Sequence, residues 1–172
     1  MHAQCVIDQV HAAFKDVPLP SRDALWNSHC CECSETSAAF GAKPWSEISL
    51  EELLSGRETA LLSEAAWRYY LPSMIIWCVR APEVVDVIQD NLVYQLAPPQ
   101  TQEEWARKWF TPRASGFNRE QRQAIVAFLN WYQERQEEHR AGLGAAPPDH
   151  AVRALAFWGS EPNSGILNDP IR

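Results

Sequence analysis

Apolar positions along the chain recur at spacings of three and four residues, and no stretch alternates for long. That pattern predicts helices and no sheet. The strongest stretch is Ser63–Arg80, SEAAWRYYLPSMIIWCVR. Trp67, Tyr70, Leu71, Met74, Ile75 and Cys78 follow the helical period, and Tyr69, Ile76, Trp77 and Val79 fill much of the remaining circumference. A helix apolar nearly all round belongs inside a bundle or a membrane. This run is too short and too interrupted for a bilayer, which takes roughly 20 residues. Ser63 is a favourable N-cap, and Glu64 and Arg80 put the preferred charge at each end. Pro72 has no N–H for the carbonyl of Arg68, so a kink or break is expected there.

Shorter elements surround that helix. Gln4–Lys15 predicts an amphipathic helix with Cys5, Val6, Gln9, Val10, Ala13 and Phe14 on one side, ended by Pro18 and Pro20. Ser21 opens a short turn carrying Leu25 and Trp26. Ser49 and Glu52 form a capping box that starts a short helix, and Gly56 stops it. Pro82 stands at the favoured first position of a helix with Val84, Val85, Ile88 and Leu92 as its apolar face, and Pro98 and Pro99 end that region. Val93–Leu96 is the one candidate strand, too short for a sheet. A helix beginning at Thr101 or Gln102 places Trp105, Trp109 and Phe110 at helical spacing, before a loop at Pro112 and Gly116. Asn118 and Gln121 make a second capping box for the longest helix. Its core stripe is Ala124, Ile125, Phe128, Leu129, Trp131 and Tyr132, and its polar end, Gln133–Arg140, points to solvent. Asp149 caps a last short helix with Val152, Leu155 and Phe157. The sum is an all-α fold, an irregular bundle of about six to eight helices around a Pro-kinked central helix. Residues 1–140 form the helical domain, and residues 141–172 a linker, a short C-terminal helix and a tail.

Composition narrows the function classes. The chain has 172 residues, 46% hydrophobic and 22% charged, an ordinary composition for one globular domain. A net charge of −7 argues against a general nucleic-acid binder and against attraction to anionic membranes. The N-terminal sequence lacks the pattern of a signal peptide and no segment reads as membrane-spanning, so a cytoplasmic protein is expected. Five cysteines are an odd number, which speaks against a disulfide framework and leaves free thiols or a metal site.

Three features offer chemistry. Cys30 and Cys33 form a Cys-x-x-Cys pair with Cys31 and His29 beside it. Two thiolates at that spacing can share one zinc, but a closed site takes four ligands and the chain has no second pair. A redox pair would want a βαβ setting that is missing, and incidental thiols are the simplest reading. Trp105–Arg122 is a basic island, with Arg107, Lys108, Arg113, Arg119 and Arg122 among aromatic residues. Such interleaving can bind phosphates and stack bases. The simpler expectation is that Trp105 and Trp109 anchor the core while the charges form its solvated face. Two acidic stretches carry Glu51 and Glu52, and Glu83, Asp86 and Asp90. Gathered on one face they would dock a basic protein partner. No nucleophile elbow, phosphate loop, zinc-protease helix or dinucleotide fingerprint is present, so nothing in the sequence asks for an enzyme.

The chain resembles an uncharacterised bacterial family of small helical proteins, catalogued as a domain of unknown function. The matching residues are Cys30-x-x-Cys33 with Glu35, Phe40 and Gly41 before Pro44-Trp45, Leu61 to Ala65, Tyr69-Tyr70-Leu71-Pro72, and Gln121, Ala124, Ile125, Phe128 and Leu129. The similarity runs from about residue 5 to 133 and leaves the last helix uncovered. Family members often carry a His two residues before the first Cys of the pair; Ser28 stands there, with His29 one step over. The resemblance implies a cytoplasmic helical fold and no activity. The expected function is therefore non-enzymatic protein binding, for instance a bacterial immunity protein that neutralises a basic toxin domain. The alternative is a zinc- or thiol-dependent protein centred on Cys30 and Cys33. Expected cofactors are none, or zinc.

Overall fold

The structure is a computed structural model that describes residues 2–25, 36, 38–101, 103–140 and 149–160. Its α-helices are α1 (Ala3–Phe14), α2 (Leu50–Ser55), α3 (Glu64–Arg80), α4 (Asp86–Leu96), α5 (Glu104–Ala114), α6 (Arg119–Arg140) and α7 (Asp149–Gly159). Short 3-10 turns lie at Arg22–Leu25, Trp45–Glu47 and Thr59–Leu61. Among the described residues no element is a strand, and the all-α reading holds. Val93–Leu96, the candidate strand, is the end of α4.

α3 is the hub. It packs against α1, α4, α5 and the turns at Arg22–Leu25 and Trp45–Glu47. Ser63 caps it as expected: its hydroxyl accepts from the Ala66 N–H at 3.0 Å and donates to the Ala24 carbonyl, tying the first turn of α3 to the Arg22–Leu25 turn. The helix continues through Pro72 to Arg80, so the expected break does not occur. Tyr70, Leu71, Met74, Ile75 and Cys78 are wholly buried around the proline, and this packing outweighs the missing hydrogen bond. Every ring of α3 that carries a polar atom reaches a partner. Trp67 donates to the Gln95 side-chain carbonyl at 2.7 Å and Trp77 to the Ile48 carbonyl at 2.7 Å. Tyr70 donates to the Lys43 carbonyl at 3.3 Å, and the Tyr69 hydroxyl accepts from the Trp45 N–H at 3.4 Å. Burial raises both tyrosine pKa values, that of Tyr70 to about 12.

α1 lies across α3 and α6. Its buried face is Val6, Ile7, Val10 and Phe14, with Cys5 and Gln9 exposed, so the face is rotated from the expected one. Both capping boxes form. Glu52 N–H meets Ser49 Oγ at 3.2 Å and Ser49 N–H meets Glu52 Oε2 at 2.9 Å; Gln121 N–H meets Asn118 Oδ1 at 2.9 Å and Asn118 N–H meets Gln121 Oε1 at 3.1 Å. α7 packs on α6 and α4 through Ala151, Ala154 and Trp158, whereas Val152 is exposed and Leu155 and Phe157 are half-buried. Sequence reasoning chose the larger residues; the small ones at 151 and 154 let α7 come close. Trp158 donates to the Leu96 carbonyl at 2.7 Å. Arg122 lies over the Phe157 and Trp158 rings and donates to the carbonyls of Phe157, Trp158 and Ser160 at 2.8, 3.3 and 3.3 Å. A cation among the last carbonyls of α7 is where the helix dipole favours one.

Candidate docking surface

α4 is helical because Ile88, Leu92, Val93 and Leu96 recur at three and four and bury one face against α3 and α7. It starts at Asp86 with Val85 as its N-cap, not at Pro82; residues 82–84 form a turn and Val84 is exposed. The difference follows from burial: Val85 is buried and Val84 is not, so the chain enters the helix only after Val85 has turned inward. At about 100° per residue, Asp86, Asp90, Tyr94, Val87 and Asn91 occupy the opposite arc in that angular order. All five are exposed. Val87 and Tyr94 are 65% and 66% accessible, unusual for an aliphatic and an aromatic side chain at the centre of a helix face.

Beside this face lies a cleft of about 420 Å³. Tyr94 of α4 and Trp105 of α5, 67% accessible, both line it, together with the more buried Trp109 and Phe110 and the half-buried Pro98 and Pro99. Gln95 and Thr59 form a buried polar floor: the Gln95 amide nitrogen donates to Thr59 Oγ1 at 3.1 Å, while its oxygen accepts from Trp67. This network fixes the Gln95 rotamer and ties the cleft to the core helix. Trp105 was expected in the core. Instead α5 begins at Glu104, after Glu103 as N-cap, and the Trp105 indole donates to the Glu103 carboxylate at the surface. Thr101 takes the Glu103 N–H at 2.8 Å before the helix starts. Pro112, expected in a loop, lies inside α5.

The basic residues of this surface already hold neighbouring acids. Arg57 lies 3.7 Å from Glu58, Lys108 2.7 Å from Glu104 and Arg153 2.9 Å from Asp149, and Arg153 also donates to the Pro98 carbonyl. Lys108 holds the Glu104 carboxyl below its usual pKa. Among the described residues no base lies within ion-pair distance of Asp86, Asp90 or Glu103. The surface thus has an apolar centre, carboxylates without an ion pair among the described residues at Asp86 and Asp90 on the α4 side and at Glu103 beside Trp105, and two arginines in the cleft, Arg57 and Arg153, that already face acids.

The other predicted site residues fall in different places. Cys30, Cys31, Cys33 and His29 lie outside the described residues. Among the described residues, no three His, Cys, Asp or Glu side chains are grouped to hold a metal ion. Burial pushes the Cys78 thiol far above its usual pKa, and Cys5 is exposed on α1. Glu51 is exposed on α2. Glu52 is engaged by the Lys43 ammonium and the Ser49 cap, and these hydrogen bonds lower its pKa. Glu83 pairs with Arg135 of α6. Asp86 Oδ1 accepts from the Val87 N–H at 2.6 Å, and Asp90 Oδ1 accepts from the Tyr132 hydroxyl at 2.8 Å.

The basic island is not one surface. Arg113 is 3% and Arg122 8% accessible. Arg113 lies 4.2 Å above the Trp109 ring and donates to the Leu62 carbonyl at 2.8 Å and the Trp109 carbonyl at 3.0 Å. Desolvation lowers the pKa of both guanidinium groups. These two arginines bind carbonyls of the fold and present no charge to solvent. Sequence reasoning missed Tyr94 and Val87 as surface residues. Their signal was Val87, Asn91 and Tyr94 at spacings of four and three, a second stripe offset from the core stripe of the same helix.

The chain belongs to a family of unknown function, DUF6714, whose description matches residues 2–159. The match extends through α7, beyond the span the sequence resemblance covered. No curated protein and no solved structure matches the chain. Among the described residues, no helix is long and apolar enough to cross a membrane.

Proposed function

We propose that this chain is a non-enzymatic protein that works by binding another protein, and that it does so through the outward face of α4 and the adjoining cleft. The observation that carries the reading is the pair Tyr94 and Trp105, both about two-thirds accessible across one concave apolar surface. Aromatic side chains left in water around a cleft are what partner-binding surfaces bury, and they supply much of the affinity there. The acidic residues first considered for docking divide accordingly. Asp86 and Asp90 border this surface, while Glu52 is spent on the α2 cap and Glu83 on Arg135. A toxin-neutralising immunity protein is one concrete form, and the net charge of −7 suits a basic toxin domain.

The test is co-purification with the product of the adjacent gene, using the wild type and a Tyr94→Ala, Trp105→Ala variant. Capture by the wild type and at least about thirtyfold weaker capture by the variant are expected, since two buried aromatic anchors cost about 2 kcal/mol or more together. Equal capture by both would remove the surface from the reading. A second reading, a zinc- or thiol-dependent protein, rests on the Cys30-x-x-Cys33 spacing. Stoichiometric zinc in freshly purified reduced protein would support it. Absence of zinc, with unchanged melting of the Cys30→Ser, Cys33→Ser variant, would end it.

A further inference from the structure

The sequence from Ala81 to Ala106 contains no Lys or Arg. It supplies the whole outward face of α4, the Pro98-Pro99 bend and Trp105. Across that face the order is Asp86, Asp90, Tyr94, Val87, Asn91, followed by the cleft that Asn91 helps to line. Val87 and Tyr94 are seven residues apart, two helical turns, and so form a ridge about 10 Å long parallel to the helix axis. An apolar ridge of that length beside a groove is the complement of an amphipathic helix, whose own apolar residues also recur every three, four and seven positions. The edges fix the sign of the visitor. Asp86 and Asp90 lie beside the ridge on the outward arc of α4, and Glu103 accepts from the Trp105 indole next to the cleft, without a cation at ion-pair distance among the described residues, while the two arginines that line the cleft, Arg57 and Arg153, lie 3.7 and 2.9 Å from Glu58 and Asp149. The Tyr132 hydroxyl that donates to Asp90 is a neutral partner and brings no cation to this edge. A second copy of this chain is the wrong occupant, because two-fold pairing would set these carboxylates against one another.

We infer that this surface receives a basic amphipathic helix of the partner, laid along α4 with its apolar stripe on Val87 and Tyr94 and over the cleft, and its Lys or Arg residues toward Asp86, Asp90 and Glu103. This rests on the protein-binding reading and names the chemistry of what binds. Bidentate arginine contacts to Asp86 and Asp90 would set direction along α4, and the Tyr94 and Trp105 rings would supply the buried anchors.

The experiment titrates the full chain with three synthetic peptides of about 16 residues, long enough for helix formation. One has leucines at a 3,4 repeat flanked by lysines, one replaces each lysine by glutamate, and one scrambles the first. Binding is read by Trp fluorescence and by amide chemical shifts. The leucine–lysine peptide is expected to bind, to shift amides of residues 86–96 and Trp105, and to weaken as salt rises. Asp86→Asn with Asp90→Asn should lower its affinity about tenfold, and Tyr94→Ala by more. The Asp90→Asn change keeps an acceptor for Tyr132, so the fold is preserved. Equal binding by the scrambled or glutamate peptide overturns the inference, as does a shift map on another face. Self-association of the chain that Tyr94→Ala abolishes overturns it too, by assigning the surface to a second copy. A fourth, proline-rich peptide separates the two levels of the proposal. If it alone perturbs Tyr94 and Trp105, the helix falls and the docking surface stands; if no peptide perturbs them, both fall.

Discussion

α3 and α4 are consecutive helices joined by a short turn, yet they use aromatic residues in opposite ways. On α3, Trp67, Tyr69 and Tyr70 are buried, and each ring's polar atom has a partner inside the fold. On α4, Tyr94 stands in solvent, seven residues from an exposed Val87. The buried face of α4 belongs to the α3 system: Gln95 accepts from Trp67 and packs the floor of the cleft. The lesson is that one helix carries both the anchor to the core and the surface offered outward, and the two are separated by half a turn of the helix. Substitution on one arc should move stability, and on the other only association.

The largest break should come from Trp67→Ala. It empties a fully buried site and leaves Gln95 without its indole donor, so a loss of about 3–5 kcal/mol in urea unfolding is expected. A loss below about 1 kcal/mol would mean that α3 is not the hub. Next is Gly56→Ala. A Cβ there would lie 2.7 Å from Phe40 Cε2, and Phe40 in turn sits 4.7 Å from the Tyr70 ring. Overpacking of about 1–3 kcal/mol is expected, transmitted to α3 and visible as a change in Tyr70 titration. Ser49→Ala removes one half of the α2 capping box and should cost about 1 kcal/mol in the same assay. Tyr94→Ala should change unfolding free energy by no more than about 0.5 kcal/mol, as for an exposed side chain away from the core.

The smallest effect is a pH dependence at Glu52. Hydrogen bonds from Lys43 and the Ser49 N–H lower its folded pKa below 4.5. A lowered carboxyl pKa stabilises the fold above the unfolded value, and that contribution fades as pH falls through the lowered one. Glu52→Gln should therefore be less stable than the wild type at neutral pH, by a small margin because the pair is at the surface, and the two should converge in acid. Divergence in acid would mean the cap does not depend on the charge.

Much of this scaffold was legible in the sequence, because caps and apolar periodicity are local. Ser49–Glu52, Asn118–Gln121 and Ser63 all do what their spacing predicts. The surface was not legible, because a tryptophan and a valine read as core whichever way they face. Trp105 and Trp109 share helical spacing, yet only Trp109 turns inward, where it meets the Trp67 ring edge-on and carries Arg113 on its face. The charges misled in the same way. Arg113 and Arg122 look solvated in the sequence and instead donate to carbonyls that come from residues 51 and 35–38 positions away. Pro72 and Pro112 read as interruptions and lie inside α3 and α5, since burial by neighbouring helices decides whether a proline ends a helix.

The separation of the two arcs is tested most directly by equilibrium unfolding of the Tyr94→Ala, Trp105→Ala double variant. Both rings sit on the surface assigned to a partner and neither on the face that packs against α3. Unfolding free energy within about 1 kcal/mol of the wild type, at unchanged dependence on denaturant, is the predicted result. A loss of several kcal/mol would contradict it and return Tyr94 and Trp105 to the scaffold.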